Sequence, residues 1–203
     1  EIAVASSIAP GSAGMTAYSL AKGRGIPNMI LADGPAGLRL STTFAADAEG
    51  SVIPGTESSP VADFALPYAP ESIPLPEGAA RYFQYCTALP IATLLAQTWD
   101  LAAVETAGGL VGAEMEKYGV HLWLAPAMNI HRNPLCGRNF EYYSEDGFLS
   151  GAICAAEVKG IQEKGVDVVI KHFALNDQET NRDGLAVFLN EQAARENELK
   201  GFE

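Results

Sequence analysis

The sequence predicts an α/β fold, a partial TIM-type (β/α) barrel that is incomplete in this chain. Two observations predict parallel strands alternating with helices: short apolar runs suited to buried strands recur along the chain, and segments with strong helix-end signals separate them. A third observation favours a barrel over an open sheet. Polar residues follow each of three apolar runs, and barrels carry their functional residues at the carboxyl ends of several strands. We therefore interpret residues 1–203 as part of one barrel domain.

The apolar runs predict the strands, and capping residues predict the helices between them. Strands are expected at 28–32, 121–125 and 166–170. Helices are expected from Asp100 to about Tyr118 with Gly119 beyond the end, from Asp146 to about Lys164 with Gly165 beyond it, and from Asn190 through Lys200. A closed barrel needs eight strands and typically about 250 residues, so these strands should leave two open sheet edges.

Two segments depart from this alternation. In residues 53–84, prolines and clusters of Ser, Glu and Gly interrupt any periodicity, which predicts a long excursion loop. Gly108, Gly109 and Gly112 lie inside the first predicted helix. Helix packing or simple tolerance explains them better than a phosphate-binding turn, which would follow the first strand of an open sheet.

The composition excludes several classes of partner. Twenty-five acidic and thirteen basic side chains give a net charge of −12, which repels nucleic acid and anionic membrane surfaces. The chain has no apolar run long enough to cross a membrane and does not begin like a signal peptide. Three cysteines without metal-binding spacing argue against a disulfide framework. A cytoplasmic location is favoured, and a secreted form stays open if the natural N-terminus lies upstream.

Asp33 and Arg39 follow the first predicted strand. At the mouth of a barrel, the Asp33 carboxylate would accept hydrogen bonds from ligand hydroxyls, but an aspartate before Gly-Pro is equally typical of a turn. Arg39 could point back into the same mouth, although by its position alone it reads as a surface cation.

A long polar loop follows the second strand, and we expect it to be folded and functional. Its Arg138 offers a planar fork of donors for adjacent hydroxyls or a carboxylate, while the alternative is an internal ion pair with Glu141. His131 is expected to brace the loop through a hydrogen bond.

The third strand ends in Lys171 and His172. Neighbouring side chains on a strand normally point to opposite sides, so both would face one pocket only with an unusual backbone there. A metal site would need His121, His131 and His172 to converge, and their spacing matches no common ligand motif. We therefore expect no metal, and the lack of a Gly-x-Ser-x-Gly elbow argues against Ser-His-Asp chemistry.

Four ordered motifs resemble the catalytic barrel of family 3 glycoside hydrolases of the β-glucosidase type. They are LADGPAGLR at 31–39, LAPAMNIHR at 124–132, GRNFEYYSED at 137–146 and KHFALNDQETNR at 171–182. The resemblance implies a subsite for the non-reducing terminal sugar, with a cis backbone at the Lys-His pair that lets both side chains face it. The implied sugar-binding residues are Asp33, Arg39, Arg138, Lys171, His172 and Arg182.

The resemblance also implies an activity and its missing parts. Family members hydrolyse terminal β-D-glucosyl residues with retention and without a cofactor, using an aspartate nucleophile in a Ser-Asp-Trp-like segment and a glutamate acid/base. This chain contains no such segment, so no catalytic residue is assigned in it, and Asp33 is not taken as the nucleophile. We expect a segment of a larger enzyme whose remainder supplies both carboxylates. The alternatives are a noncatalytic sugar-binding fragment, or β-xylosidase or arabinofuranosidase specificity.

Overall fold

The fold is described by a computed structural model for residues 10–16, 23–58 and 72–203. Within these ranges the chain forms six short strands: β1 (Gly14–Met15), β2 (Ile30–Ala32), β3 (Thr43–Ala46), β4 (Ala80–Phe83), β5 (Leu122–Trp123) and β6 (Asp167–Val168). The main sheet has the order β1-β2-β5-β6, with β1 antiparallel to β2 and the other neighbours parallel. The three predicted strands thus form the parallel part of one sheet, each somewhat shorter than its apolar run.

Three helices lie between the parallel strands, as a (β/α) pattern requires, and a further single turn follows β6. They are α1 (Ala92–Gln97), α2 (Leu101–Tyr118), α3 (Gly147–Gln162) and the single turn α4 (Glu191–Ala193). Asp100 caps α2 by accepting hydrogen bonds from the backbone N–H groups of Ala102 and Ala103, and Gly119 follows with a positive φ of 69°. Asp146 caps α3 in the same way through Leu149 N–H. The first two helix predictions are therefore confirmed, although α3 ends two residues before Lys164.

The last predicted helix differs from its expectation. Asn190 does cap it, accepting a hydrogen bond from Ala193 N–H at 2.8 Å, but the α-turn passes into a wider π-turn over 194–198 and a 3-10 turn at Lys200–Phe202. Leu199 N–H bonds to Ala194 O, five residues earlier. The side chain of Glu198, in the π-turn, is buried. The shape of this turn therefore depends on tertiary packing, which the helix-capping residues of the sequence do not predict.

Close approach of α2 and α3 explains the glycines inside α2. A Cβ at Gly108 would lie 2.2 Å from Glu157 O, and one at Gly160 of α3 would lie 2.0 Å from Glu105 O. Gly112 is similarly tight against Ile161 O. Helix packing, the first of the two explanations drawn from the sequence, is therefore confirmed for Gly108 and Gly112.

The predicted excursion loop at 53–84 is wrong at its end. Ala80–Phe83 forms β4, which pairs antiparallel with β3, from Thr43↔Phe83 to Ala46↔Ala80. The two strands are too far apart in sequence for a hairpin turn, so local sequence patterns do not predict their pairing. Residues 59–71 of this loop lie outside the described residues.

The core lies between the helices and the main sheet. Its fully buried members include Ala32, Val104, Met115, Trp123 and Ile161. The described strands do not close into a barrel, which agrees with the expected partial barrel. Among the described helices, none is both long and apolar enough to cross a lipid bilayer.

Candidate functional site

The candidate residues meet at the carboxyl ends of β2, β5 and β6. Asp33 directly follows β2, the loop after β5 carries Arg138, and Lys171 lies just beyond β6. A further parallel bridge between Ala127 and Lys171 keeps the two backbone segments side by side beyond the ends of β5 and β6. Parallel strands put their carboxyl ends on one edge, so three distant sequence segments converge there.

Asp33 is held between two cations. Lys171 Nζ donates to its Oδ1 at 2.6 Å, and Arg39 Nη2 donates to its Oδ2 at 2.5 Å. Burial by itself would raise the pKa of the Asp33 carboxyl, but the hydrogen bonds from Lys171 and Gly34 N–H, and the charge of Arg39, bring it below its ordinary value. The carboxylate is thus ionised at neutral pH and keeps acceptor capacity toward the cleft, where its side chain is 30% exposed.

The Gly34–Gly37 turn brings Arg39 back over Asp33. Gly37 N–H bonds to Gly34 O, and Arg39 N–H bonds to Asp33 O at 2.9 Å. Both glycines have positive φ, 115° and 120°. A side chain at Gly37 would also collide with Thr87 O, since its Cβ would lie 2.2 Å away. Glycine is therefore needed for both the conformation and the close approach.

Lys171 and His172 both contact residues of the site. Lys171 reaches Asp33, while His172 Nε2 lies 2.7 Å from Nη2 of Arg138. The peptide bond between them is cis, as the resemblance implied. The alternation of side chains along a regular strand, which would put one of them on the opposite side, does not apply at this bond.

His172 is neutral and its tautomer follows from its partners. Arg138 can only donate, so Nε2 accepts and the proton resides on Nδ1, which lies 3.3 Å from both Asn129 Oδ1 and Tyr142 OH. Burial, together with the charges of Arg138 and Lys171, lowers the pKa of His172 to about 4. The ring therefore stays uncharged beside the two cations at neutral pH.

Arg138 is fixed along its whole guanidinium. Its Nε donates to Glu141, its Nη1 lies 3.5 Å from Glu179 Oε1, and its Nη2 donates to His172. The ion pair with Glu141 was the alternative reading of Arg138, and it exists together with the contacts that place Arg138 in the cleft. These carboxylates outweigh burial and raise the pKa of the guanidinium. Three of its five N–H groups are used by these partners, so two are available to a ligand.

The segment after Lys171-His172 closes one side of the site. Asn176 donates to Tyr142 OH at 3.1 Å and to Glu179 Oε1 at 3.0 Å. Glu179 in turn pairs with Arg182 at 3.2 Å. Arg182 is half exposed at the rim of the site. Among the described residues, it forms no hydrogen bond with Asp33 or Lys171.

Part of this group lines one cleft of about 840 Å³, and Lys171 and His172 contact the lining residues Asp33 and Arg138. The other walls are the 34–40 turn and the 86–88 segment, whose Thr87 is held by Glu114 of α2. The lining side chains that carry charge or an aromatic ring are Asp33, Arg39, Arg138, Phe140, Glu141, Glu179 and Arg182. Arginine and carboxylate groups alternate here, which suits a ligand with several adjacent hydroxyl groups that both donate and accept.

Four polar residues that support the site were not among the candidates from the sequence. Asn129 binds the backbone of His172 on both sides, with its Oδ1 accepting from His172 N–H at 2.7 Å and its Nδ2 donating to His172 O at 3.0 Å. The others are Tyr142, Asn176 and Glu179. A usable signal was their place in the same polar motifs as Arg138 and Lys171.

The histidines do not form a metal site. His131 Nε2–H donates to the backbone carbonyls of Asn139 and Tyr142, both at 2.9 Å, and so braces the loop as expected. His121 Nδ1 instead accepts from Ile30 N–H in the sheet. In the part of the chain that the structure describes, no three His, Cys, Asp or Glu side chains are grouped to hold a metal ion.

The fold and the sequence are similar to known enzymes. The model of the family described as the N-terminal domain of glycosyl hydrolase family 3 matches residues 72–203. Beta-glucosidase A of Butyrivibrio fibrisolvens is 51% identical over 117 residues, 58% of this chain and 14% of that enzyme. Thermostable beta-glucosidase B of Acetivibrio thermocellus is 36% identical over 179 residues, 88% of this chain and 20% of that enzyme.

A solved structure of a beta-glucosidase is also similar to this chain. Beta-glucosidase 3B from Thermotoga neapolitana, in complex with alpha-D-glucose, superposes with a TM-score of 0.74 at 41% identity over 97% of this chain. The matched region is 22% of that protein's chain. The chain thus spans about a seventh to a fifth of the length of the curated relatives it matches.

Proposed function

Since the chain belongs to glycosyl hydrolase family 3, we propose that it forms the sugar-recognition part of a retaining exo-β-glucosidase that releases terminal non-reducing β-D-glucosyl residues. The observation that carries the proposal is the convergence of two pairs on one cleft. Lys171 and Asp33 lie 2.6 Å apart, and Arg138 and His172 lie 2.7 Å apart. The beta-glucosidases similar to this chain give the proposal its substrate class.

In this proposal each side chain has a defined task. Asp33 accepts hydrogen bonds from sugar hydroxyls, and Lys171 and the remaining N–H groups of Arg138 donate to neighbouring hydroxyl oxygens. Neutral His172 orients Arg138 without adding a third cation. Hydrogen bonds to sugar hydroxyls strengthen as the ring becomes oxocarbenium-like, so this set would stabilise the transition state more than the bound substrate.

The two catalytic carboxylates are proposed to come from residues outside this chain. A retaining enzyme needs a nucleophile and an acid/base about 5–5.5 Å apart. Both oxygens of Asp33 are engaged by cations, which makes it a poor nucleophile. The pKa of Glu179 is lowered despite its burial cost, because Asn176 and Arg138 bind its charged form, whereas a general acid needs a raised pKa.

Kinetics on the intact protein test this function. We expect hydrolysis of an aryl β-D-glucoside, with a higher kcat/KM than for the matching aryl β-D-xyloside or α-L-arabinofuranoside, and with β-glucose as the first product seen by NMR. A preference for either pentoside would overturn the specificity, and α-glucose as the first product would overturn retention.

A second candidate is a noncatalytic sugar-binding module. The observation that favours it is the neutralisation of Asp33 and Glu179 by cations, which leaves both as recognition groups. Glucose binding by calorimetry without hydrolysis of any aryl glycoside would support this candidate. Absence of both binding and hydrolysis would contradict both functions.

A further inference from the structure

Two buried carboxyl groups lie behind the cleft without enough positive charge to neutralise them. Asp177 and Glu198 side chains are 11% and 5% exposed, and each approaches the same atom, Nη1 of Arg132, at 3.6 and 3.7 Å. Both oxygens of Asp177 are buried, and no N–H or O–H of the described residues donates to them. Arg132 itself is 53% exposed, so solvent screens part of its charge.

The charges around the pair make double ionisation costly. Arg132, from the loop after β5, is the cation that contacts both carboxyl groups. The other charged or titratable groups that share a groove with Arg132 come from the loop after β5, the start of α3 and the final helical segment: His131, Glu145, Asp146, Arg195, Glu196, Lys200 and Glu203. Two buried carboxyl groups that approach the same arginine nitrogen cannot both ionise cheaply, and one proton between them would supply the donor that Asp177 lacks.

The pair is connected to the cleft through a short stretch of chain. Asn176, next to Asp177, bonds to Tyr142 OH and Glu179, and Glu179 contacts Arg138. Phe173, three residues before Asn176, also contacts the final helical segment. Its ring meets the ring of Phe202 edge to face, with the ring centroids 5.4 Å apart. A shift of Asp177 away from Glu198 would therefore move groups that orient Arg138.

We propose that Asp177 and Glu198 share one proton, and that the protonated pair positions residues 176–182 at the cleft. Asp177 and Glu198 are then positioning residues, because neither of them lines the cleft. The proposal deepens the function given above and rests on it for the activity measurement only.

Loss of the proton to solvent has a defined direction with pH. Burial and the charge of Asp177 raise the pKa of Glu198 from 4.5 to about 7, and burial also raises the pKa of Asp177. Because the folded pKa lies above the unfolded one, the stabilisation is fully present below pH 4.5 and is lost as pH rises to about 7. Above that pH the pair carries two negative charges and the 176–182 segment is released.

Amide variants of the intact protein test the proposal. Glu198→Gln and Asp177→Asn each leave one carboxylate facing an amide N–H, which imitates the protonated pair at every pH. Glu196→Gln, an exposed carboxylate on the same turn, is the matched control. Two readouts are followed from pH 4 to 9: the KM and kcat for an aryl β-glucoside, and the midpoint of thermal unfolding.

The unchanged protein and the control should show KM rising by about 5-fold from pH 6 to 9, with a smaller change in kcat, whereas the two amide variants should hold KM steady. The unfolding midpoint should fall less between pH 4.5 and 7 in the amide variants than in the control. Equal pH dependence of both readouts in all four proteins would overturn the proposal. Lack of glucosidase activity with the unfolding difference intact would overturn only the proposed function.

Discussion

At the residue level, the chemistry of the cleft depends on Asp33 and its two cations. Lys171 comes from a strand end 138 positions later, and Arg39 returns over Asp33 through a tight turn. The carboxylate is thereby kept charged and oriented before any ligand arrives. Such preorganisation reduces the conformational entropy lost when a ligand binds. A mutation of Asp33 should therefore act mainly on ligand recognition.

Asp33→Asn should lower kcat/KM of the intact protein on an aryl β-glucoside by about 10- to 100-fold, because a charged acceptor is lost and Lys171 is left without its counter-charge. Initial-rate kinetics measure this. Asp167→Asn is the control, since Asp167 begins β6 at the opposite end of the strands from the cleft. An unchanged kcat/KM in Asp33→Asn would contradict the proposed role of Asp33 in binding sugar.

A second residue-level effect concerns stability and not the cleft. Glu157 of α3 is buried, with one oxygen accepting from Tyr143 OH and the other without a partner among the described residues. Burial raises the pKa of Glu157 from 4.5 to about 7, in spite of the hydrogen bond from Tyr143. The folded state therefore holds the proton more tightly than the unfolded state between these values, and stability declines as pH rises through that window.

Glu157→Gln should remove most of that decline. Between pH 5 and 8 the unchanged protein should lose about 2–3 kcal/mol of unfolding free energy more than the variant, because most of the effect of the raised pKa falls in this range. Urea unfolding at the two pH values measures the difference. Glu163→Gln, an exposed carboxylate just beyond α3, should behave like the unchanged protein, and parallel pH dependence of all three would disprove a proton on Glu157.

At the level of elements, the contact between α2 and α3 depends on glycines. Gly108 and Gly160 let backbone meet backbone where any Cβ would collide with a carbonyl oxygen. This contact fixes the helix that leads from the polar loop into β6. The positions of Arg138 and Lys171 relative to each other therefore rest partly on helix packing far from the cleft.

Gly160→Ala should destabilise the protein by about 1–3 kcal/mol, because the new Cβ would lie 2.0 Å from Glu105 O and the helices must separate. Gly109→Ala is the matched control on α2, since its Cβ would meet its nearest atom at an ordinary 3.8 Å. It should stabilise the helix by about 0.5–1 kcal/mol. Chemical denaturation gives both values, and a neutral Gly160→Ala would show that the helices are not in backbone contact.

At the level of the whole molecule, the described sheet has β6 at one edge. Asp167 N–H bonds to His121 O, just before β5, at 3.0 Å, and Val169 N–H bonds to Trp123 O of β5 at 2.7 Å. The N–H groups of Val168 and Ile170 alternate with these and point to the other edge. A further strand that extends the barrel would pair at this edge, and the relatives are several times longer than this chain.

Amide hydrogen exchange can detect that strand. In the intact protein, Val168 and Ile170 N–H should exchange slowly, with protection comparable to that of Asp167 and Val169. In residues 1–203 alone, of these four N–H groups only those of Asp167 and Val169 should stay protected from exchange. Fast exchange of Val168 and Ile170 in both samples would show that β6 is an edge strand in the intact protein as well.

The sequence by itself determined the parallel strands, the two main helices with their caps and the residues that meet in the cleft. These features are encoded locally: apolar runs specify strands, Asp100 and Asp146 specify helix starts, and polar residues after strands specify the edge that carries the candidate site. The motif resemblance turned the even choice for Asp33, turn or ligand, toward ligand. Local order was enough because (β/α) connections place consecutive strand ends on the same side.

Only the tertiary structure decided which partners these residues take. The β3–β4 pairing, the α2–α3 glycine contact and the Asp177–Glu198 pair each join segments that no local pattern relates. The same holds for the charge state of His172, which depends on burial and on cations from elsewhere in the chain. Hydrogen bonds, burial and charge act through space and not along the sequence, so pairings and protonation emerge only when the distant segments are packed together.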